Sequence, residues 1–213
     1  MNFDTFLKSI SKIENLDLPG EASQIKMSPP YRLELMERNR EAMKTARMAG
    51  VMALFYPSVT NETYLILILR KTYKGVHSAQ VGFPGGKLET DDSSLEFAAL
   101  RETYEEVGVP IKMMKVLKAM TPMYIPPSNF TVNPFLGVTH TTPNFVKQDE
   151  EVEDLIEVSL SHFLEENNVV STSVATSYKV KVDVPAFKLN NHIVWGATAM
   201  MLSELKDLLK TVL

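Results

Sequence analysis

The stretch Phe83-Pro84-Gly85-Gly86-Lys87-Leu88-Glu89, followed by Arg101-Glu102-Thr103-Tyr104-Glu105-Glu106-Val107-Gly108, decides the reading of this chain. Between the two lies Ser93-Ser94-Leu95-Glu96, a capping box. The Ser93 hydroxyl takes one orphan amide there, and Glu96 reaches back to another. Gly108 is placed to end the helix in a left-handed conformation. A helix over 94–107 therefore has both ends signalled. At about 100° per residue, with Phe97 at zero, Leu100, Tyr104 and Val107 fall within about 80° and form the expected core stripe. Glu105, Glu102 and Glu106 fall at roughly 80°, 140° and 180°, so three carboxylates are expected on one face, opposite the core.

Such a cluster is costly. At about 4 Å and an effective dielectric near 20, each like-charge pair costs on the order of 4 kcal/mol. The side chains either splay into water or hold a cation. Hard divalent ions such as Mg²⁺ take oxygen ligands of this kind. A solvated charged face is the plain alternative. Two features weigh against it. The Gly85-Gly86 loop lets backbone atoms approach a metal or a phosphate closely, and Glu106 is tied to the helix end at Val107-Gly108. Arg101, one turn before Glu105, can pair with a carboxylate and hold it in position.

Outward from this segment, Val51 to Phe55 and Thr63 to Arg70 read as strands joined by a turn. Val116 to Tyr124 and Thr131 to Thr139 read as further strands, Glu151 to Leu164 is ambiguous, and Tyr178 to Val182 with Val184 to Leu189 alternates like a hairpin. Phe3 to Ile13, Tyr31 to Ala49 and Ala197 to Leu209 have helical spacing. The order favours a mixed α/β (α+β) sandwich over a doubly wound parallel sheet. We expect a helical extension over 1–47, packed on a main domain over 48–213.

The bulk composition limits the function. The chain has 213 residues, 45% of them hydrophobic and 23% charged, with net charge −4. That suits a globular protein and argues against a broad nucleic-acid surface. Cysteine is absent, so disulfides and thiolate metal sites are excluded. No secretory signal is seen, and the apolar runs are too short to span a bilayer. The expectation is a cytoplasmic protein without membrane or nucleic-acid partners.

Gly86, Asp92, Arg101, Glu102, Glu105, Glu106, Gly108 and Val109 together resemble the Nudix box. Two features depart from the general box: Asp92 replaces its Glu, and eight residues rather than seven separate it from Arg101. Both resemble the coenzyme A diphosphatase branch of that family. So do His77-Ser78-Ala79-Gln80-Val81-Gly82-Phe83-Pro84-Gly85-Gly86, the run Pro126-Pro127-Ser128-Asn129-Phe130-Thr131-Val132-Asn133-Pro134, Glu151-Val152 and Trp195-Gly196-Ala197-Thr198-Ala199. Gly75 and Ala79 stand where that branch has Arg and Gly.

The resemblance implies a Nudix α/β/α sandwich with a mixed sheet. It also implies hydrolysis of a small nucleoside diphosphate derivative with Mg²⁺ or Mn²⁺. In this branch, coenzyme A or acyl-CoA would give 3′,5′-ADP and 4′-phosphopantetheine. NADH, ADP-ribose or a dinucleotide is the alternative substrate. A catalytically silent nucleotide-binding module is a third reading, which the intact Glu102, Glu105 and Glu106 oppose. The expected metal ligands are Glu105, Glu106, Glu102 (or Glu102 as base), the Gly86 carbonyl and Glu151 from a later loop. Arg101 orients the carboxylates. Arg70, Lys71, Lys87 and His77 are the expected substrate contacts, with Lys74 a further cation for the missing Arg.

The remaining features read as structural. His77, His140, His162 and His192 lack metal-ligand spacing. Trp195 reads as a core anchor, and the twelve methionines as gap fillers. Arg32, Arg38, Arg40, Lys44 and Arg47 alternate with Glu34, Glu37 and Glu41, the pattern of a solvated helix. A lid, a homodimer contact and a simple cap all suit the N-terminal helices.

Overall fold

In β1 (Arg47–Pro57), period-2 alternation sends side chains to two separate cores. Met52, Leu54 and Tyr56 enter one, while Ala49, Val51, Ala53 and Phe55 enter the other. A strand buried on both faces needs a layer on each side of its sheet. A computed structural model, which describes residues 1–72, 80–175 and 181–213, shows those layers.

The chain begins with α1 (Phe3–Ile10), α2 (Glu21–Ile25), α3 (Arg32–Arg38) and α4 (Arg40–Met43), before β1. Then come β2 (Thr63–Arg70), β3 (Val81–Gly82), β4 (Gly85–Lys87) and α5 (Leu95–Val107). β5 (Met114–Ala119), β6 (Met123–Ile125), β7 (Phe130–Thr139), β8 (Val152–Ser159) and α6 (Leu160–Leu164) follow. The last elements are β9 (Val169–Ala175), β10 (Lys181–Leu189), β11 (His192–Trp195) and α7 (Gly196–Lys210).

β1 pairs in parallel with β7 and antiparallel with β2 and β4, so the sheet is mixed. β8 and β3 extend it from β2, and β5 and β6 pair with β7. α5 contributes Ala99 and Val107 to one core. Phe3, Phe6 and Ile10 of α1 and the apolar face of α7 fill the other. This is the expected α/β/α sandwich. Antiparallel β9, β10 and β11 form a second, small sheet. Among the described residues no helix is long and apolar enough to cross a membrane.

Several expected elements differ: the strand expected over Val116 to Tyr124 is divided into β5 and β6, and the helix expected over Phe3 to Ile13 ends at Ile10. The helix over 31–49 breaks at Asn39 and stops at Met43, because β1 takes the chain from Arg47 into the sheet. β10 runs through Lys181–Leu189 as one strand, since it has a partner on each side. The residues 176–180 of the expected hairpin lie outside the described residues.

The segment before β1 is tied down by buried polar groups. Glu204 of α7 is 0% exposed and accepts from Gln24 Nε2 at 2.9 Å and from Thr121 Oγ1 at 2.6 Å. Ser203 Oγ donates to the Ser23 carbonyl at 2.7 Å, and at the surface, outside this buried network, Lys26 pairs with Asp207 at 2.6 Å. A buried network with its members satisfied specifies one arrangement. It seats α2 on α7 and so determines where the following α3 emerges.

Candidate active site

Helix α5 starts one residue later than the capping box indicates. Ser94, extended at φ −164°, accepts from Phe97 N at 3.0 Å. Gly108 ends the helix at φ 78°, as expected, with its N–H donating to the Tyr104 carbonyl at 2.9 Å. The larger correction is the orientation. Ala98, Ala99, Thr103, Glu106 and Val107 are buried, while Phe97 is 36% and Tyr104 50% exposed. Of the expected stripe, Val107 and Leu100 do pack on the core, but Phe97 and Tyr104 face outward, and of the three glutamates Glu106 is turned into the protein while Glu105 stays half-exposed. The reason lies on β1: Gly50 presents no Cβ, so only the alanine side of α5 can settle there. A Cβ on Gly50 would overlap the Leu95 carbonyl oxygen and lie 3.0 Å from Ala99 N.

Glu106 is therefore not opposite the core. It is 2% exposed, and its Oε2 accepts from Gly85 N at 2.7 Å. Its Oε1 is buried without a hydrogen-bond donor; Arg70 Nη2 lies 3.4 Å away but outside hydrogen-bond geometry. The same Arg70 nitrogen donates to the Gly85 carbonyl at 2.7 Å, clamping the loop. Glu102 lies against Gly86, where a Cβ would overlap its carboxylate. A side chain at Gly86 would therefore push the Glu102 carboxylate from its present place.

Arg101 organises the rest. Its Nη1 donates to Glu102 Oε1 and to Glu105 Oε2, both at 3.0 Å. Its Nε and Nη2 donate to the two oxygens of Asp92, each at 2.9 Å. The Asp92 side chain is only 1% exposed, and these bonds hold its carboxyl below the usual range. Asp92 is a positioning residue that the motif contained but the helical wheel did not reach, because it precedes the helix. Among the described residues no three Asp, Glu or His side chains converge as a ready-made metal cage. Arg101 draws Glu102 and Glu105 to itself instead. The donor set nevertheless fits a hard divalent cation: it is all oxygen, and it includes the orphaned Glu106 Oε1.

Arg101, Glu102 and Glu105 line a cavity of about 1140 Å³. Arg70, Gly86, Glu102, Glu105, Glu151 and the exposed Lys87 are on its wall. Lys71 is half-buried beside it, its N–H on the Glu151 carbonyl, and does not line it. His77, Lys74, Gly75 and Ala79 lie outside the described residues. Trp195, expected as a core anchor, is half-buried on the wall with Thr198. Arg32 and Leu35 of α3 also line it; helix periodicity did not indicate that.

Burial pushes the Glu106 carboxyl up to about 7, with the charges of Glu102 and Glu151 adding and Arg70 and the Gly85 N–H opposing. Burial also raises Glu102, against the pull of Arg101. The folded state thus holds the Glu106 proton more tightly than the unfolded chain does. The associated stability is fully present below the ordinary glutamate range and is lost as pH rises through about 7. In the presence of a chelator, thermal stability is expected to fall from pH 5 to pH 8, by up to roughly 3 kcal/mol from this group. Glu106→Gln is expected to flatten that profile. An unchanged slope in the variant refutes the assignment.

The NUDIX domain profile matches residues 47–173. NudL of Yersinia pestis (strain Pestoides F), named as an uncharacterized Nudix hydrolase, is 33% identical over 144 residues. The match covers 68% of this chain and 71% of that protein. NudL of Yersinia pseudotuberculosis (strain YPIII) matches to the same extent. Among solved structures, the Nudix hydrolase RenU from M. smegmatis has a TM-score of 0.53 at 13% identity, over 79% of this chain and 88% of that one. A MutT/nudix family protein from Enterococcus faecalis has a TM-score of 0.51 at 17% identity, over 78% and 62%. The two structures share the fold. With the profile and the Yersinia relatives, they show that this chain belongs to the Nudix family and is a Nudix hydrolase. Nudix hydrolases generally act on small nucleotide substrates with divalent metal ions.

Proposed function

We propose that this enzyme cleaves the diphosphate bond of coenzyme A or acyl-CoA, giving 3′,5′-ADP and (acyl-)4′-phosphopantetheine. The observation that carries the hydrolytic reading is the buried Glu106 oxygen without a hydrogen-bond donor at the Gly85-Gly86 loop, behind Glu102 and Glu105, which line one large cavity. The coenzyme A reading is supported by the runs ending in Phe83-Pro84-Gly85-Gly86, over Pro126–Pro134 and over Trp195–Ala199.

Glu106 and Glu105 would hold Mg²⁺ or Mn²⁺ together with the Gly86 carbonyl, with Glu102 as a third ligand or as the base, and Glu151 would add a carboxylate from the β8 side. Held there, the ion would supply charge neutralisation at the diphosphate and lower the pKa of water. The chain's own groups do the rest. Asp92 fixes Arg101, and Arg101 keeps Glu102 and Glu105 on one side of the helix. Glu102, with its raised pKa, is placed to take a proton from the attacking water if it is not a ligand. Arg70 holds the loop and presents positive charge to a phosphate, as does Lys87 at the rim. The extension over 1–47 belongs to the folded unit as a wall of the cleft.

The departures at Gly75 and Ala79 favour a second reading, a Nudix hydrolase of NADH, ADP-ribose or a dinucleotide. Turnover of coenzyme A, NADH, ADP-ribose and nucleoside triphosphates with Mg²⁺ or Mn²⁺, with product identification, separates the two. Coenzyme A is expected to give the highest kcat/KM. Preference for a substrate without pantetheine sinks the first reading, and cleavage of none of them sinks both.

A further inference from the structure

Among the described residues five cations line the cavity, and four have carboxylate partners. Arg101 is paired with Asp92, Glu102 and Glu105, Arg70 with Glu106, Lys87 with Glu89, and Arg38 with Glu34. Arg32 makes no ion pair among the described residues. Its Nη2 donates to the Tyr124 carbonyl at 3.0 Å, which seats α3 on β6. It is half-buried; burial lowers its pKa and the field of Glu21 partly restores it. The arginines and lysine that follow it are the solvated set expected from the sequence: Arg38, Arg40 and Lys44 pair with Glu34, Glu37 and Glu41. Arg32 departs from them.

A desolvated guanidinium bonded to one neutral carbonyl keeps further donors in a planar fork, the geometry that matches a phosphate. The scissile diphosphate belongs at α5 and the Gly85-Gly86 loop. Arg32 is anchored instead to β6, next to Pro126-Pro127, on an element outside the 47–173 family match. The cavity is large enough for a ligand that extends well beyond a diphosphate. Resting on the diphosphatase reading above, we propose that Arg32 binds a phosphate monoester on the nucleoside part of the substrate, remote from the bond that breaks. The N-terminal segment is then a specificity element, and the network at Glu204 is what holds it in place.

The test compares coenzyme A with 3′-dephospho-coenzyme A, which differ by that monoester alone. Arg32→Ala is expected to raise KM for coenzyme A by roughly thirtyfold, the loss of a charged hydrogen-bonded contact. Its kcat, and its KM for the dephospho form, are expected to stay within about twofold. Arg32→Lys is expected to recover part of the loss, and Arg40→Ala to have no effect. An equal rise in KM for both substrates, or none for either, overturns the proposal. Calorimetric titration with adenosine 3′,5′-bisphosphate against adenosine 5′-monophosphate provides a readout independent of turnover. The wild-type protein is expected to prefer the bisphosphate about tenfold or more, and Arg32→Ala to lose that preference. Equal wild-type affinities overturn the proposal. A wild-type enzyme that hydrolyses neither coenzyme A form defeats the proposed substrate, while the titration still decides the role of Arg32.

Discussion

Glu105→Gln and Glu106→Gln are each expected to lower kcat by about a thousandfold, close to 4 kcal/mol of transition-state stabilisation. The amide keeps the shape of the side chain but loses the charge a divalent ion requires. The two variants are expected to part company in the metal-free protein. Glu105 is half-exposed and engaged by Arg101, so its loss changes little in the fold. Glu106 is buried, with one oxygen lacking a donor. A neutral amide there can still accept from Gly85 N and removes a desolvated charge, so stability is expected to hold or rise. The experiment is turnover across a Mg²⁺ titration together with thermal unfolding in chelator. Near-normal turnover of either variant at saturating Mg²⁺ would falsify the metal assignment.

Gly50→Ala is expected to destabilise the protein by about 3 kcal/mol, in the range of overpacking at a rigid contact. The added methyl meets the Leu95 carbonyl and Ala99 N, which are helix backbone and cannot turn aside. For a chain of this length the loss corresponds to a fall in Tm of roughly 6–12 °C. Activity is expected to fall as well, because α5 carries Glu102, Glu105 and Glu106 and a displaced helix moves them all relative to the Gly85-Gly86 loop. A Tm within about 2 °C of wild type, well inside the effect of 1 kcal/mol, would show that the contact is not tight. Thermal unfolding and kcat/KM on the same preparation decide it.

Much of the site was legible in the chain because the chemistry is local. Gly86, Asp92, Arg101, Glu102, Glu105 and Glu106 lie within a few turns of one another, and the capping signals bound the helix between them. The class of fold was legible for a similar reason, since strand alternation and helix spacing are short-range patterns. The orientation of α5 was not. Phe97 and Tyr104 are the bulkiest apolar side chains on that helix and made the natural core stripe, yet they face outward. A helical wheel weighs hydrophobicity, whereas this contact is governed by size. The site could form only where the alanines met a strand position without a side chain, and Gly50 lies far from them in sequence.

The cleft is the clearest case of what the chain could not disclose by itself. Its walls come from α3, the Gly85-Gly86 loop, α5, the Pro126-Pro127 turn and the start of α7. No periodicity links those segments. Arg32 looked like one member of an alternating charged helix, and only packing on β6 left it without a carboxylate. The sequence by itself determined the family, the helix that carries the candidate site and the oxygen-rich residue types on it, because these depend on neighbours along the chain. Tertiary structure decided which face of α5 is buried, why burial raises the Glu106 carboxyl and which cavity cation makes no ion pair among the described residues, because these depend on burial and on partners brought from distant positions.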